Sequence, residues 1–115
     1  MEMERELKKQ QFHIHLLLSI SDIDTHPLVR LLVESGVSET EYQMLLKLLD
    51  ELERTFFEWK EEGYLNFEAL LVRFAGGLCE KLDPERTMLA LREEGMYIEL
   101  VEEFIKIHFK YKKND

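Results

Sequence analysis

The chain has 115 residues, 45% of them apolar, with 24 acidic against 15 basic side chains and a formal net charge of −9. That length carries one domain with one core. The acidity excludes a phosphate-backbone binder, which needs clustered Lys and Arg. Cys79 is the single cysteine, so no internal disulfide can form and a reducing, cytoplasmic setting is the expectation. The opening Met1-Glu2-Met3-Glu4-Arg5-Glu6 is not the basic start of a signal peptide. Leu16-Leu17-Leu18-Ser19-Ile20 is too short an apolar run to span a bilayer.

The first helix is predicted from about Met3 to Ile20. Met3, Leu7, Gln10, Ile14 and Leu17 recur at alternating steps of four and three, a heptad-like seam with one polar member. The first half of this helix is weakly apolar and needs a partner, either its own body or a second copy. Ser21 to Thr25 reads as a loop, because short polar side chains bond locally to the backbone. Asp24 or Thr25 is the expected cap of a short second helix, with Pro27 in its first turn and Leu28, Leu31 and Leu32 on its apolar face. Gly36 ends it with a positive φ.

Ser38 and Glu41 have capping-box spacing, and Val37 and Tyr42 flank them as a hydrophobic staple. The third helix is expected from Glu39 to Glu62, where Gly63 stops it, roughly 36 Å long at 1.5 Å per residue. It should span the whole molecule. Tyr42, Leu45, Leu49, Leu52, Phe56 and Trp59 form one stripe, while Leu46, Leu48 and Phe57 lie off it. A surface helix needs only one stripe, so this helix should be central and wrapped on more than one side.

Asn66 is the expected cap of a fourth helix carrying Phe67, Leu70, Leu71, Phe74 and Leu78, with Cys79 near its end. Asp83 caps a fifth, with Pro84 at its first position, Met88, Leu89 and Leu91 on its face and Gly95 as its stop. The sixth carries Tyr97, Leu100, Val101, Phe104, Ile105 and His108, and ends in lysines that suit the helix dipole. The stretches Asp24–Gly36 and Asp83–Gly95 have the same length and share Leu32/Leu91 and Glu34/Glu93. Duplication and shared helix grammar both account for that. The whole is an all-α single domain over residues 1–115, about six helices around a long central one.

Phe74-Ala75-Gly76-Gly77-Leu78, Glu80 to Asp83, Ala90 to Leu100, Gly63 to Phe67 and Asp24 to Gly36, in that arrangement, resemble the YhaI-like proteins of Bacillus and relatives. The resemblance covers nearly the whole chain. It implies a small multihelical cytoplasmic protein that self-associates, and it brings no catalytic or binding residue with it.

The chemistry-bearing residues have plainer readings. His13 and His15 diverge by roughly 200° on a helix and cannot share an ion. Asp22, Asp24 and His26 could gather oxygens and an imidazole, but no turn glycine or closing glutamate follows as a calcium loop requires. His108 falls on an apolar face and reads as packing. Cys79 has no base that sequence can pair with it and reads as a small hydrophobe. Gly76-Gly77 costs a helix roughly 1 kcal/mol per glycine and reads as close packing, within the chain or between copies, or as a kink, ahead of a ligand seated against bare backbone. No G-x-x-x-x-G-K-[ST] surrounds it. Glu61-Glu62, Glu93-Glu94 and Glu102-Glu103 read as solvated surface, and Lys110 to Lys113 is too short a basic run for nucleic acid.

These readings converge on a non-enzymatic protein-interaction module that forms a homo-oligomer and meets an unidentified protein partner. No catalytic residue, metal site or cofactor is expected, and neither nucleic acid nor membrane is a partner. Self-association is placed on Leu7, Ile14, Leu17, Gly76 and Gly77. The alternative is a small ligand- or metal-binding protein or enzyme with a pocket near Asp22, Asp24 and His26.

Overall fold

The computed structural model describes residues 2–18 and 26–113. Among them are six helices and no strand: α1 Glu2–Leu18, α2 Pro27–Glu34, α3 Glu39–Glu61, α4 Glu68–Gly77, α5 Pro84–Glu94 and α6 Ile98–Lys113. The all-α expectation holds. The first helix begins close to the predicted Met3; its predicted end at Ile20 and the loop from Ser21 to Thr25 lie outside the described residues.

The core is the inward faces of five helices meeting. α3 contributes Leu45, Leu49, Leu52 and Phe56, α4 contributes Leu70 and Phe74, and α6 contributes Leu100, Val101 and Phe104, all buried. The Phe74 and Phe104 rings meet with centroids 5.3 Å apart, and Phe56 meets Phe67 at 4.6 Å. α2 and α5 pack along each other, and α5 along α6. The predicted α3 stripe is therefore the buried one. Off it, Leu46 and Leu48 are half-buried while Phe57 stays exposed. α3 touches α1, α4 and α6, so it is central, but it does not span the molecule. The longest dimension is 48 Å, against about 35 Å for a helix of this length.

The helix ends follow local chemistry. Ser38 Oγ accepts from the Glu41 N–H at 3.1 Å, and Glu41 Oε1 accepts from the Ser38 N–H at 2.9 Å, completing the predicted box. Asp83 Oδ2 accepts from the Arg86 N–H at 2.9 Å at the start of α5. Asn66 Oδ1 accepts from the Glu68 N–H at 3.0 Å, although Phe67, not Asn66, is the residue flanking α4. At α2 the expected caps, Asp24 and Thr25, lie outside the described residues. His26 flanks the helix and its own side chain makes no capping bond. Instead Glu94, 66 residues downstream, accepts from the Leu28 N–H at 3.2 Å.

The paired stretches share a turn. Gly36 has φ +69° and Gly95 φ +73°. Val37 N–H reaches Leu32 O at 3.0 Å, and Met96 N–H reaches Leu91 O at 3.0 Å. These are the bonds of a left-handed glycine C-cap. The chains then diverge. Ser38 opens α3 in an extended conformation, whereas Tyr97, predicted inside the sixth helix, precedes it at φ +52°.

Candidate functional site

Among the described helices α1 packs chiefly on α2 and α3, and it docks by one face. The Phe12 ring lies 5.6 Å from that of Tyr42. Leu16 packs against the core. His13 Nε2 lies 2.6 Å from the Val37 carbonyl oxygen, which requires that nitrogen to carry the proton and donate. Phe12, His13 and Leu16 were not singled out by sequence reasoning as the docking face. The signal available was their i, i+1, i+4 spacing, opposite the seam.

The seam itself turns outward. Met3 is 76% exposed, Leu7 54%, Ile14 55% and Leu17 39%, and Gln10 is exposed among them. Isolated surface leucines are ordinary. A row of apolar side chains at heptad spacing along the whole length of one helix is not, and it marks an interaction face. The structure thus brings Leu7, Ile14 and Leu17 onto one accessible stripe.

It does not bring Gly76 and Gly77 to that stripe. They close α4. A Cβ on Gly77 would stand 2.9 Å from Leu48 Cδ2 of α3, whereas one on Gly76 would meet nothing within 4 Å. The bare backbone at Gly77 is thus occupied by the chain's own α3. Leu78 is already extended, so Cys79 sits beyond α4, half-buried in the following loop, rather than within the helix as expected.

Where α1 passes the start of α3 there is a groove of about 520 Å³, lined by Arg5, Lys9 and Lys81 against Glu6, Glu39 and Glu41 among others. Four of its charged side chains are joined in two pairs. Lys9 pairs with Glu6 at 3.0 Å. Lys81 Nζ donates to Glu41 Oε1 at 2.7 Å and to the Gly36 carbonyl at 3.2 Å. Burial pushes the Glu41 carboxyl up, but the Lys81 ammonium and the Ser38 N–H outweigh it and hold it below its ordinary value. The bond to Glu41 correspondingly raises Lys81. The groove is a clasp between the α2–α3 turn and the α4–α5 loop.

The second polar cluster lies at the α5–α6 turn. Tyr97 Oη donates to Asp50 Oδ1 at 2.5 Å. Burial and then this bond push the phenol far above its ordinary value. Burial, then the Asp50 and Glu99 carboxylates, raise Glu53. Burial and Glu94 raise Tyr42. Such shifts mark catalytic groups only when they converge on a space that a substrate can enter. Here the phenol's one proton is committed to Asp50, fastening the start of α6 to α3. His26 Nδ1 is 4.0 Å from Glu94 Oε2; its predicted companions Asp22 and Asp24 lie outside the described residues. His108 is half-buried, its Nε2 3.6 Å from Glu85 Oε1. Among the described residues no group of three or more His, Cys, Asp and Glu side chains is placed to hold a metal ion, and no helix is long and apolar enough to cross a membrane.

A compact six-helix body with a thinly attached, outward-greasy first helix is matched over residues 1–108 by the model of a family of proteins of unknown function, DUF1878. The chain belongs to the DUF1878 family. The match takes in all of α1 to α5 and most of α6. The exposed seam of α1 is therefore part of what the DUF1878 model describes, and not an appendage to it.

Proposed function

We propose that this DUF1878 protein is a non-enzymatic module that self-associates, with the outer face of α1 as its contact and a second copy of the chain as the occupant. The observation that carries the reading is the exposed row Met3, Leu7, Ile14 and Leu17 on a helix held to its own body by the opposite face. Gln10, at the middle of the row, favours a copy over a foreign apolar groove. A carboxamide both donates and accepts, so two of them satisfy each other across a self-pairing seam, whereas an apolar groove would strand one. A single polar residue at a core position of this kind sets register. Within the family, the order and spacing of the segments quoted above also support placing the chain with the YhaI-like proteins.

The non-enzymatic part of the proposal draws support from the polar clusters, whose most perturbed groups tie helices together. The test is mass by light scattering at micromolar concentration, with Leu7→Asp and Ile14→Asp beside the parent chain. Both positions are exposed in the single subunit, so folding measured by circular dichroism should be retained. Truncating or charging a central interface side chain costs about 2 kcal/mol or more, roughly 30-fold in Kd. The parent should be an oligomer and each variant should shift toward monomer. A parent that is monomeric throughout rejects the proposal.

A further inference from the structure

The charge layout of α1 goes beyond self-association to its geometry. This step rests on the reading just given. Residues 2–6 hold three glutamates against one arginine; beyond Glu6 the helix has no carboxylate and carries Lys8, Lys9, His13 and His15. Each α1 is therefore acidic at its start and neutral to basic in its remainder. Parallel pairing would bring the two acidic ends together, and like charges placed side by side oppose association. Antiparallel pairing separates them by most of the helix, roughly 25 Å for a helix of this length, and sets each against the carboxylate-free end of the other. The helix dipoles then also run in opposition, positive N-terminus beside negative C-terminus.

The seam accepts this arrangement. Its members at 3, 7, 10, 14 and 17 read nearly the same in both directions. A two-fold axis at Gln10 puts Met3 against Leu17 of the other copy and Leu7 against Ile14, each to within about one residue's rise of 1.5 Å. It also puts Gln10 beside its own counterpart. That is the self-complementary patch an isologous dimer needs. We infer that α1 pairs antiparallel with α1 of a second copy, about a two-fold axis near Gln10, to form a closed dimer.

Cross-linking distinguishes the orientations. In a Cys79→Ala background, Met3→Cys and Leu17→Cys chains carrying tags of different mass are prepared singly and as a refolded mixture. Each is treated with a short bis-maleimide, with mass by light scattering measured alongside. The inference expects a cross-link between the two tags in the mixture and little product from Met3→Cys alone. Efficient self-cross-linking of Met3→Cys overturns the antiparallel geometry while leaving self-association standing. A dimeric mass with no cross-link in any sample overturns both the geometry and the seam as the contact. A monomeric mass overturns self-association itself.

Discussion

Gly76 and Gly77 are adjacent, both end α4, and should respond to alanine in opposite ways. Gly76 is helical with nothing within 4 Å of its missing Cβ. Alanine there reduces the freedom of the unfolded chain and suits the helix, a gain of about 0.5–1 kcal/mol. At Gly77 the new methyl would stand 2.9 Å from Leu48 Cδ2 and 3.1 Å from Cδ1. Those atoms are the tip of a flexible, half-buried side chain, so Leu48 can turn aside, at a rotamer cost of about 0.5–1.5 kcal/mol. At the middle of these ranges the cost cancels the gain. For a domain of this size 1 kcal/mol corresponds to about 3–5 °C in Tm. Gly76→Ala should therefore raise Tm by up to that amount, and Gly77→Ala should leave it level or lower it. Urea titration at one fixed protein concentration puts the variants' free energies on a common footing. The double variant Gly77→Ala/Leu48→Ala is the control, since removing the obstacle should restore the helix gain relative to Leu48→Ala. Equal stabilisation by alanine at both glycines would refute the argument, because it would mean that α3 does not press on Gly77. The pair also bears on the sequence-based placement of self-association at these positions. If Gly76 lies between copies, its alanine variant should weaken the oligomer even as it stabilises the fold.

Ser38→Ala removes the acceptor for the Glu41 N–H and should destabilise the fold by about 1 kcal/mol, read as a lower urea midpoint with unchanged slope; no change would mean the box is not formed in solution. Glu53 is raised by burial and by Asp50 and Glu99, so the fold favours its neutral form. That contribution is fully present below the unfolded carboxylate value and is lost as pH rises through the folded one. Glu53→Gln should therefore be more stable than the parent at neutral pH, with the advantage shrinking in acid. An advantage that is constant across the pH range would contradict this origin.

The stops and starts of the helices were legible because glycine, proline and capping side chains act within four residues of where they stand. Gly36, Ser38, Gly63, Asp83 and Gly95 all do their work locally, and the α3 stripe is simple periodicity. What depends on distant partners was not legible. α1 carries apolar residues on both its faces, and partners on other elements, Tyr42 and Val37 among them, decide that the face with Phe12, His13 and Leu16 is the docked one. Tyr97 looked helical because its left-handed turn is held by Asp50 on another helix. The outward seam was identified as a set of residues, but its exposure required the fold. Of the alternative site only His26 lies among the described residues. His26 has Glu94, from another helix, as its nearby carboxylate.

The bond from Leu28 to Glu94 has a bearing on how the chain is made. α2 has eight residues, too few to persist alone in water, and the carboxylate that completes its first turn is 66 positions further on. During synthesis, which proceeds from the N-terminus, that segment must wait as unstructured chain until α5 has left the ribosome. A nascent polypeptide halted after α4 would therefore display Leu28, Leu31 and Leu32 uncovered, the binding signal that folding helpers recognise.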